Sequence, residues 1–196
     1  MPDQRPEITG IVLAGGLARR MGGIDKGLLP YRGHPLTYYA LNTMQTITAS
    51  IRISANRNQA RYATFGYPVV SDTVPGYAGP LAGLLAAMKS ANTPYVISIP
   101  CDCPFISTEV LTRLCDAPLD AEIVTLHDGI RTHPVFMRVN RSLTDSLENY
   151  LAQGQHKVIA WIEQHRHQIV DCSDLAACLR NINTPQDLEI VNTGAG

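Results

Sequence analysis

Apolar runs alternate with helical patterns along almost the whole chain, and this alternation limits the fold more than any other feature of the sequence. Runs rich in β-branched residues predict strands at 8–13, 50–54, 67–70, 95–99, 121–127 and 133–139. Helical patterns between them predict helices at about 35–47, 80–91, 107–116, 140–152, 156–165 and 185–191. Such alternation is typical of a mostly parallel sheet with crossover helices on both faces. We therefore predict an α/β protein.

Length and composition narrow the possible roles. A chain of 196 residues without a Gly/Ser-rich linker favours one domain, residues 1–196. The net charge of −1 provides no global field toward nucleic acid or an anionic membrane. No apolar run approaches the roughly 18 residues that span a bilayer, and the polar start, residues 1–7, lacks a signal-peptide core. We expect a cytoplasmic protein with neither nucleic acid nor a membrane as partner.

The five cysteines, at 101, 103, 115, 172 and 178, form an odd set without a C-x-x-C pair. This pattern argues against a zinc site or a disulfide framework. Cys101 and Cys103 flank Asp102 and could be a pair of metal ligands. Small, partly buried side chains at the end of a strand are the favoured interpretation.

The segment 13–26, which follows the first predicted strand, carries four glycines, two arginines and a lysine. Glycines let backbone N–H groups approach an anion, and the cations can neutralise it. We predict that this loop holds a triphosphate, with Arg20 and Lys26 stabilising charge on a departing pyrophosphate. Arg19 could equally be solvated.

Two other phosphate-binding loops are excluded by spacing. A P-loop requires Ser or Thr directly after its lysine, but Gly27 follows Lys26. The dinucleotide pattern G-x-G-x-x-G does not occur in the chain.

Polar residues follow the ends of four predicted strands. They are the loop after 8–13, Ser54 to Arg57, Ser71-Asp72 and Pro100 to Asp102. Because ligands of parallel sheets bind beyond the carboxyl ends of the strands, we expect these segments to converge on one site.

Asp102 is the predicted metal ligand. A carboxylate at the end of a buried strand is costly unless it is paired. A hard divalent cation shared with phosphate oxygens suits a site with one or two carboxylates. The alternative is a helix N-cap, but Ser107 or Thr108 is better placed to begin helix 107–116.

The loop matches the nucleotidyltransferase signature A-G-G-x-x-x-R-M-G-x-x-K. It most closely resembles the molybdenum cofactor guanylyltransferase family, whose loop is L-A-G-G-x-A-R-R-M-G-G-x-D-K. The family segments G-P-L-A-G, H-D-G-x-R-x-H-P and N-x-N-T-P match here from Gly79, His127 and Asn181. The resemblance, which extends from about Ile8 to Val191, implies a single-domain, three-layer Rossmann-like nucleotidyltransferase fold. The first half would bind nucleotide and the second half the acceptor.

The implied reaction transfers GMP from GTP to Mo-molybdopterin, releasing pyrophosphate and giving molybdopterin guanine dinucleotide. The resemblance implies that Asp102 binds Mg²⁺. Because the terminal phosphate of the pterin is already ionised, no general base is needed. Proteins that deliver molybdopterin or mature molybdoenzymes are expected as transient partners.

The expected nucleotide contacts combine the loop with neighbouring strand ends. They are Leu13, Ala14, Gly15, Gly16, Lys26, Ser54, Asp72, Gly79 and Asp102. The family often has Asn at position 54, and the shorter Ser leaves room for a water.

The expected acceptor contacts lie in the second half. They are His127, Asp128, His133, Lys157, Asn181 and Asn183. The family usually has Arg at position 157, so a forked phosphate contact would become a point charge with Lys157. The 164–167 segment is expected to be a solvated helix end.

Three alternatives stay open on sequence alone. A sugar-phosphate nucleotidyltransferase shares the first loop, although many append a β-helix and only eleven residues follow Pro185. A molybdopterin cytidylyltransferase would differ mainly in the base pocket. A non-catalytic GTP-binding regulator would not require Lys26 and Asp102.

Overall fold

The computed structural model describes residues 6–14, 25–72, 79–184 and 186–189. The predicted loop residues Gly15, Gly16, Arg19 and Arg20 lie outside these ranges. The strands are β1 (Ile8–Leu13), β2 (Pro30–Tyr31), β3 (His34–Pro35), β4 (Ile51–Ser54), β5 (Val69–Val70), β6 (Tyr95–Pro100), β7 (Ile123–His127), β8 (Thr132–Asn140) and β9 (His167–Asp171). The helices are α1 (Leu36–Gln45), α2 (Gln59–Ala63), α3 (Pro80–Ser90), α4 (Thr108–Asp116), α5 (Thr144–Ala152) and α6 (Val158–Ile162).

A seven-stranded sheet in the order β5-β4-β1-β6-β8-β7-β9 forms the centre of the described structure. Only β8 among these strands is reversed, because it pairs antiparallel with both β6 and β7, whereas the other pairs are parallel. The carboxyl ends of the six remaining strands and the amino end of β8 therefore meet at one edge, which we call the carboxyl edge. The mostly parallel sheet predicted from the sequence is confirmed.

Helices cover both faces of the sheet, as predicted. One face packs against α1 and α4, and the other against α3, α5 and α6. Neighbouring β1 residues Ile11 and Val12 are both 0% exposed and belong to opposite apolar clusters. This is the alternation of a strand buried on both sides. Full burial of each such side chain stabilises the fold by about 1.5–3 kcal/mol.

The predicted solvated helix end at 164–167 is wrong. Helix α6 ends at Ile162, and His167 begins strand β9. His165 is half-buried, and its Nε2 lies 3.0 Å from the hydroxyl of Ser146. Strand β9 lacked a clear apolar pattern because it lies at the sheet edge, where Ile169 stays 50% exposed.

The short elements and the cap of α4 were predicted only in part. The β2–β3 hairpin and α2 were not predicted, since each is too short to show a periodic pattern. Ser107 caps α4 by accepting a 3.4 Å hydrogen bond from the Val110 N–H, as expected. None of the helices in the described ranges combines the length and hydrophobicity needed to cross a bilayer.

Candidate active site

Lys26 lies at the start of a short 3-10 helix, Lys26–Leu28, that follows the glycine- and cation-rich loop. The next residue, Gly27, sits where a Cβ would come within 2.5 Å of the hydroxyl oxygens of Thr37 and Tyr62. The Thr37 hydroxyl donates a 2.8 Å hydrogen bond to the Gly27 carbonyl. The close approach requires glycine here, and the backbone after Lys26 is thereby fixed.

The side chain of Lys26 meets residues from two distant parts of the chain. Its Nζ lies 3.6 Å from Oδ2 of Asp102 and donates a 2.9 Å hydrogen bond to Oδ1 of Asn183. The Lys26 and Asp102 side chains are 24% and 14% exposed. The pair is therefore partly desolvated but still reachable by a ligand.

Asp102 follows β6 at the carboxyl edge and is held by the C-terminal segment. Asn181 Nδ2 donates to its Oδ1 at 3.2 Å, and the Ile182 N–H donates to its carbonyl at 2.8 Å. Burial raises the pKa of Asp102, and the charge of Lys26 partly opposes this shift. The helix-cap alternative is excluded because Ser107 caps α4.

The cysteines beside Asp102 are small buried side chains, as the sequence favoured. Cys101 is 6% exposed and Cys103 is 0% exposed. Burial raises the pKa of both thiols. The described ranges contain no group of three or more His, Cys, Asp or Glu side chains that could hold a metal ion.

Ser54 ends β4 and packs under α3. It is 2% exposed, and a Cβ on Gly83 would lie 2.3 Å from its hydroxyl oxygen. Its carbonyl accepts a 2.8 Å hydrogen bond from the Ala14 N–H, while the Leu13 carbonyl accepts from Cys101 N at 3.1 Å. These backbone bonds extend the sheet ladder to the start of the loop.

Asp72 lies just beyond β5 and is paired with Asn56 from the β4–α2 connection. Asn56 Nδ2 donates to Asp72 Oδ2 at 2.6 Å, and the Asp72 N–H donates to Asn56 Oδ1 at 2.8 Å. Burial raises the pKa of Asp72 although the Asn56 bond opposes the shift. The reciprocal bonds fix the carboxylate at the carboxyl edge.

Gly79 precedes the first turn of α3, which begins at Pro80. Its φ of +73° is in the region that glycine adopts without strain. Because α3 connects β5 to β6, which run in the same direction in the sheet, its N-terminus lies at the carboxyl edge. The φ of Gly79 favours glycine at this position whether or not the residue also contacts a ligand.

A second polar cluster comes from the β7–β8 hairpin at the same edge. Asp128 accepts hydrogen bonds from His133 Nε2 at 2.7 Å, Arg131 N at 2.7 Å and Ile130 N at 2.9 Å. These bonds hold the pKa of Asp128 well below its usual range. The Nδ1 of His127 accepts from Gly129 N at 3.0 Å. We call His127, Asp128 and His133 the hairpin cluster.

Within the ranges that it describes, the structure does not connect Lys157 to the site around Lys26 and Asp102 or to the hairpin cluster. It is exposed at the start of α6, and its carbonyl accepts bonds from the Tyr150 hydroxyl at 2.9 Å and Trp161 N at 3.2 Å. Among the described residues, no hydrogen bond or ion pair joins its side chain to Asp102 or to the hairpin cluster. An acceptor role for Lys157 stays a prediction.

Asn181 and Asn183 contact the predicted nucleotide side of the site rather than the hairpin cluster. The segment containing them has no regular secondary structure. It leads into a helical turn at 186–189, within the helix predicted at about 185–191, and this turn is capped reciprocally. Thr184 N donates to Asp187 Oδ2 at 2.9 Å, and Asp187 N donates to Thr184 Oγ1 at 3.0 Å.

One group of residues near Lys26 was missed by sequence reasoning. The Asp25 carboxylate accepts hydrogen bonds from the Tyr62 hydroxyl at 2.5 Å and from Asn58 Nδ2 at 2.9 Å. Asn56 and Asn58, which closely follow a predicted strand, were the sequence signal that could have indicated polar contacts at the carboxyl edge. Tyr62 gave none, since an aromatic residue in a short helix is usually part of the core.

Comparisons with known proteins agree with this geometry. A family model described as "MobA-like NTP transferase domain" matches residues 10–169. A molybdenum cofactor guanylyltransferase of Shewanella loihica is 41% identical over 183 residues, covering 92% of this chain and 93% of that protein. One of Cupriavidus metallidurans is 45% identical over 193 residues, covering 95% of each. The crystal structure of molybdopterin-guanine dinucleotide biosynthesis protein A of Archaeoglobus fulgidus superposes with a TM-score of 0.78 at 22% identity, covering 95% of this chain and 97% of that one.

The sheet order, the polar groups at the carboxyl edge and these matches define a nucleotidyltransferase of the α/β class. The family model spans most of the chain, and the two relatives cover more than nine-tenths of it. The chain belongs to the MobA-like NTP transferase family.

Proposed function

We propose that the protein transfers GMP from GTP to Mo-molybdopterin, giving molybdopterin guanine dinucleotide and pyrophosphate. The observation that carries the proposal is the meeting of Lys26, Asp102 and Asn183 beside the end of the glycine-rich loop. The Shewanella and Cupriavidus relatives are named molybdenum cofactor guanylyltransferases. Their similarity extends over both halves of the chain and thus over both predicted ligand sites.

The chemistry needs placement and charge neutralisation more than proton transfer. The terminal phosphate of the pterin attacks the α-phosphorus of GTP, a new P–O bond forms, and the bond to pyrophosphate breaks. Lys26 is suited to stabilise the charge that develops on the leaving pyrophosphate, because its cation is partly desolvated and held on two sides. We assign Arg20, in the loop, to the same task.

The residues present fit a magnesium ion shared with the nucleotide. Asp102 uses Oδ1 to accept from Asn181, and its Oδ2 faces Lys26 at 3.6 Å, too far for a hydrogen bond. A single partly exposed carboxylate suits Mg²⁺, which is typically bound through one or two carboxylates and substrate phosphates. When bound, the ion would neutralise and orient the phosphate oxygens.

We assign the nucleotide to the loop and the neighbouring strand ends. The Leu13 carbonyl and the Ala14 N–H are already used in hydrogen bonds to neighbouring strand ends. Base contacts would therefore fall to the Ala14 carbonyl and to Gly15 and Gly16 beyond it. Ser54, Asp72 and Gly79 surround the same edge.

We assign the acceptor to the side of the hairpin cluster. Asp128 already accepts three hydrogen bonds, so it would chiefly orient this cluster, and further ligand contacts would come from the histidines and from the neighbouring Arg131, whose side chain is 68% exposed. Lys157 would supply a further cation. Asn181 and Asn183, which hold Asp102 and Lys26, would lie between the two ligands.

The proposed substrates also indicate the compartment and the partner proteins of the reaction. We propose a single-domain enzyme of the cytoplasm, where GTP is available, with transient contacts to proteins that deliver molybdopterin and receive the product.

Incubation with labelled GTP or CTP, Mg²⁺ and molybdopterin-loaded acceptor tests the proposal. We expect a labelled dinucleotide from GTP, with release of pyrophosphate that EDTA abolishes. Labelling from CTP alone would instead support a cytidylyltransferase. Binding of GTP without pyrophosphate release would support a non-catalytic regulator.

A further inference from the structure

The carboxylate of Asp25, the residue directly before Lys26, is held at both oxygens by one other segment. The Tyr62 hydroxyl donates to Oδ1 at 2.5 Å, and Asn58 Nδ2 donates to Oδ2 at 2.9 Å. Tyr62 belongs to α2, and Asn58 immediately precedes that helix. The two donors are therefore fixed relative to each other, and together they orient the carboxylate in the manner of a clamp.

Both donors are themselves rigidly placed. Tyr62 is 0% exposed and packs with Phe65 in the core, so its ring cannot swing away. Burial raises the pKa of Tyr62, which keeps the hydroxyl protonated and able to donate. Asn58 adopts a left-handed backbone with a φ of +50°. A non-glycine residue there costs on the order of 1 kcal/mol, and such strain is often found at functional sites.

Tyr62 also contacts the residue on the other side of Lys26. Its hydroxyl oxygen would lie 2.5 Å from a Cβ on Gly27, so the phenol fills the space that a side chain would otherwise occupy. The Gly27 carbonyl is separately held by Thr37. The backbone on both sides of Lys26 is thus anchored to α1 and α2, while its ammonium group reaches Asp102 and Asn183.

We infer that Asn58 and Tyr62 are positioning residues, which hold Lys26 against the leaving pyrophosphate by fixing Asp25. The inference rests on the proposed function of Lys26. It adds a role for α2, which contributes no group of its own to the predicted ligand contacts.

Kinetics of Tyr62→Phe and Asn58→Gly in two backgrounds test the inference. Phe keeps the buried ring, and Gly tolerates the left-handed backbone, so each change removes chiefly one donor to Asp25. With Lys26 present, we expect kcat for pyrophosphate release to fall about tenfold, the equivalent of about 1.4 kcal/mol in the barrier. With Lys26→Ala, the same changes should alter kcat by less than about twofold, because the group they position is gone.

Tyr67→Phe is the matched control. It removes a hydroxyl that is hydrogen-bonded to Gln45, away from Lys26, and should leave kcat unchanged. Unaltered kcat in Tyr62→Phe, or an equal loss with and without Lys26, would overturn the inference and assign Tyr62 to stability alone.

A second measurement does not depend on turnover. The rate at which acetic anhydride modifies Lys26, followed by mass spectrometry with Lys157 as internal reference, should rise several-fold in Tyr62→Phe and Asn58→Gly. An unchanged rate would overturn the inference. If the wild-type protein transferred no nucleotide, the proposed function would fail, and this labelling would still decide whether the two residues restrain Lys26.

Discussion

The Nζ of Lys26 donates a 2.9 Å hydrogen bond to the side-chain oxygen of Asn183, which lies 157 residues further along the chain. Beside it, Asn181 donates to Asp102. The C-terminal segment therefore supports the two residues to which we assign triphosphate and metal. An acceptor molecule that contacts these asparagines would therefore also affect Lys26 and Asp102, the residues assigned to the nucleotide and the metal.

Asn183→Ala should weaken the binding of a non-hydrolysable GTP analogue by about fivefold in the absence of acceptor. The loss corresponds to about 1 kcal/mol for one hydrogen bond to a charged, partly exposed group. Titration calorimetry measures the affinity, and Asn149→Ala on the exposed side of α5 serves as control. Unchanged affinity for the analogue together with weaker acceptor binding would place Asn183 on the acceptor side only.

Asp102→Asn should abolish pyrophosphate release yet raise the free energy of unfolding at pH 7 by about 1 kcal/mol, as often happens when a functional charge is removed. Burial raises the pKa of Asp102. The native protein therefore binds more protons than the unfolded chain above the ordinary carboxyl pKa of about 3.9, and stability falls as pH rises through the raised pKa.

Urea denaturation between pH 4 and pH 7 measures this effect. The free energy of unfolding of Asp102→Asn should lack the part of the pH dependence that comes from Asp102. The difference in stability between the variant and the wild type should therefore grow toward neutral pH. Full turnover of Asp102→Asn, or a lower stability than wild type at pH 7, would contradict the assignment.

Asp128→Asn should destabilise the protein at pH 7 by about 1–2 kcal/mol, the net worth of a charge-assisted hydrogen bond. The bonds from His133 and Arg131 N lower the pKa of Asp128, so the native state favours the ionised carboxylate. This stabilisation is present above the ordinary carboxyl pKa of about 3.9 and is lost as pH falls toward the lowered pKa.

Thermal or urea unfolding as a function of pH tests this expectation. The difference between Asp128→Asn and wild type should shrink below about pH 4. Asp145→Asn, at an exposed position in the first turn of α5, is the control and should show a smaller difference, below about 1 kcal/mol, from loss of its interaction with the helix N-terminus. A constant deficit for Asp128→Asn would mean that steric fit, not ionisation, is responsible.

Gly83→Ala should destabilise the protein by about 1–3 kcal/mol, because overpacking outweighs the gain of about 1 kcal/mol in helix propensity. Its Cβ would lie 2.3 Å from the buried Ser54 hydroxyl. In a Ser54→Ala background, that oxygen is absent and the cost should fall by at least about half. Chemical denaturation of the four proteins gives the coupling, and strictly additive effects would refute the contact.

The sequence predicted the strands that are buried on both sides, and the edge strand β5 as well, but it missed the edge strand β9 and the short elements β2, β3 and α2. Strands β1 and β6 are continuous apolar runs, so their positions follow from composition. Strand β9 lies at the sheet edge with Ile169 exposed, and its pattern could not be separated from the end of α6.

Some residues of the candidate site could likewise be predicted from the sequence, and others could not. Lys26 and Asp102 were predicted because a cation-rich loop and a carboxylate at a strand end suggest chemistry by themselves. Asn58 and Tyr62 were not, because their importance depends on reaching Asp25 across more than 30 residues, with separations of 33 and 37. Such a contact is set by packing of α2, which no local pattern reveals.

The bond between Lys26 and Asn183 also bears on when the enzyme becomes competent during synthesis. A ribosome makes the lysine early and its partner long afterwards, so the nascent polypeptide can complete most of its sheet before the reaction centre is assembled. Full affinity for GTP would then be reached only after translation has passed Asn183.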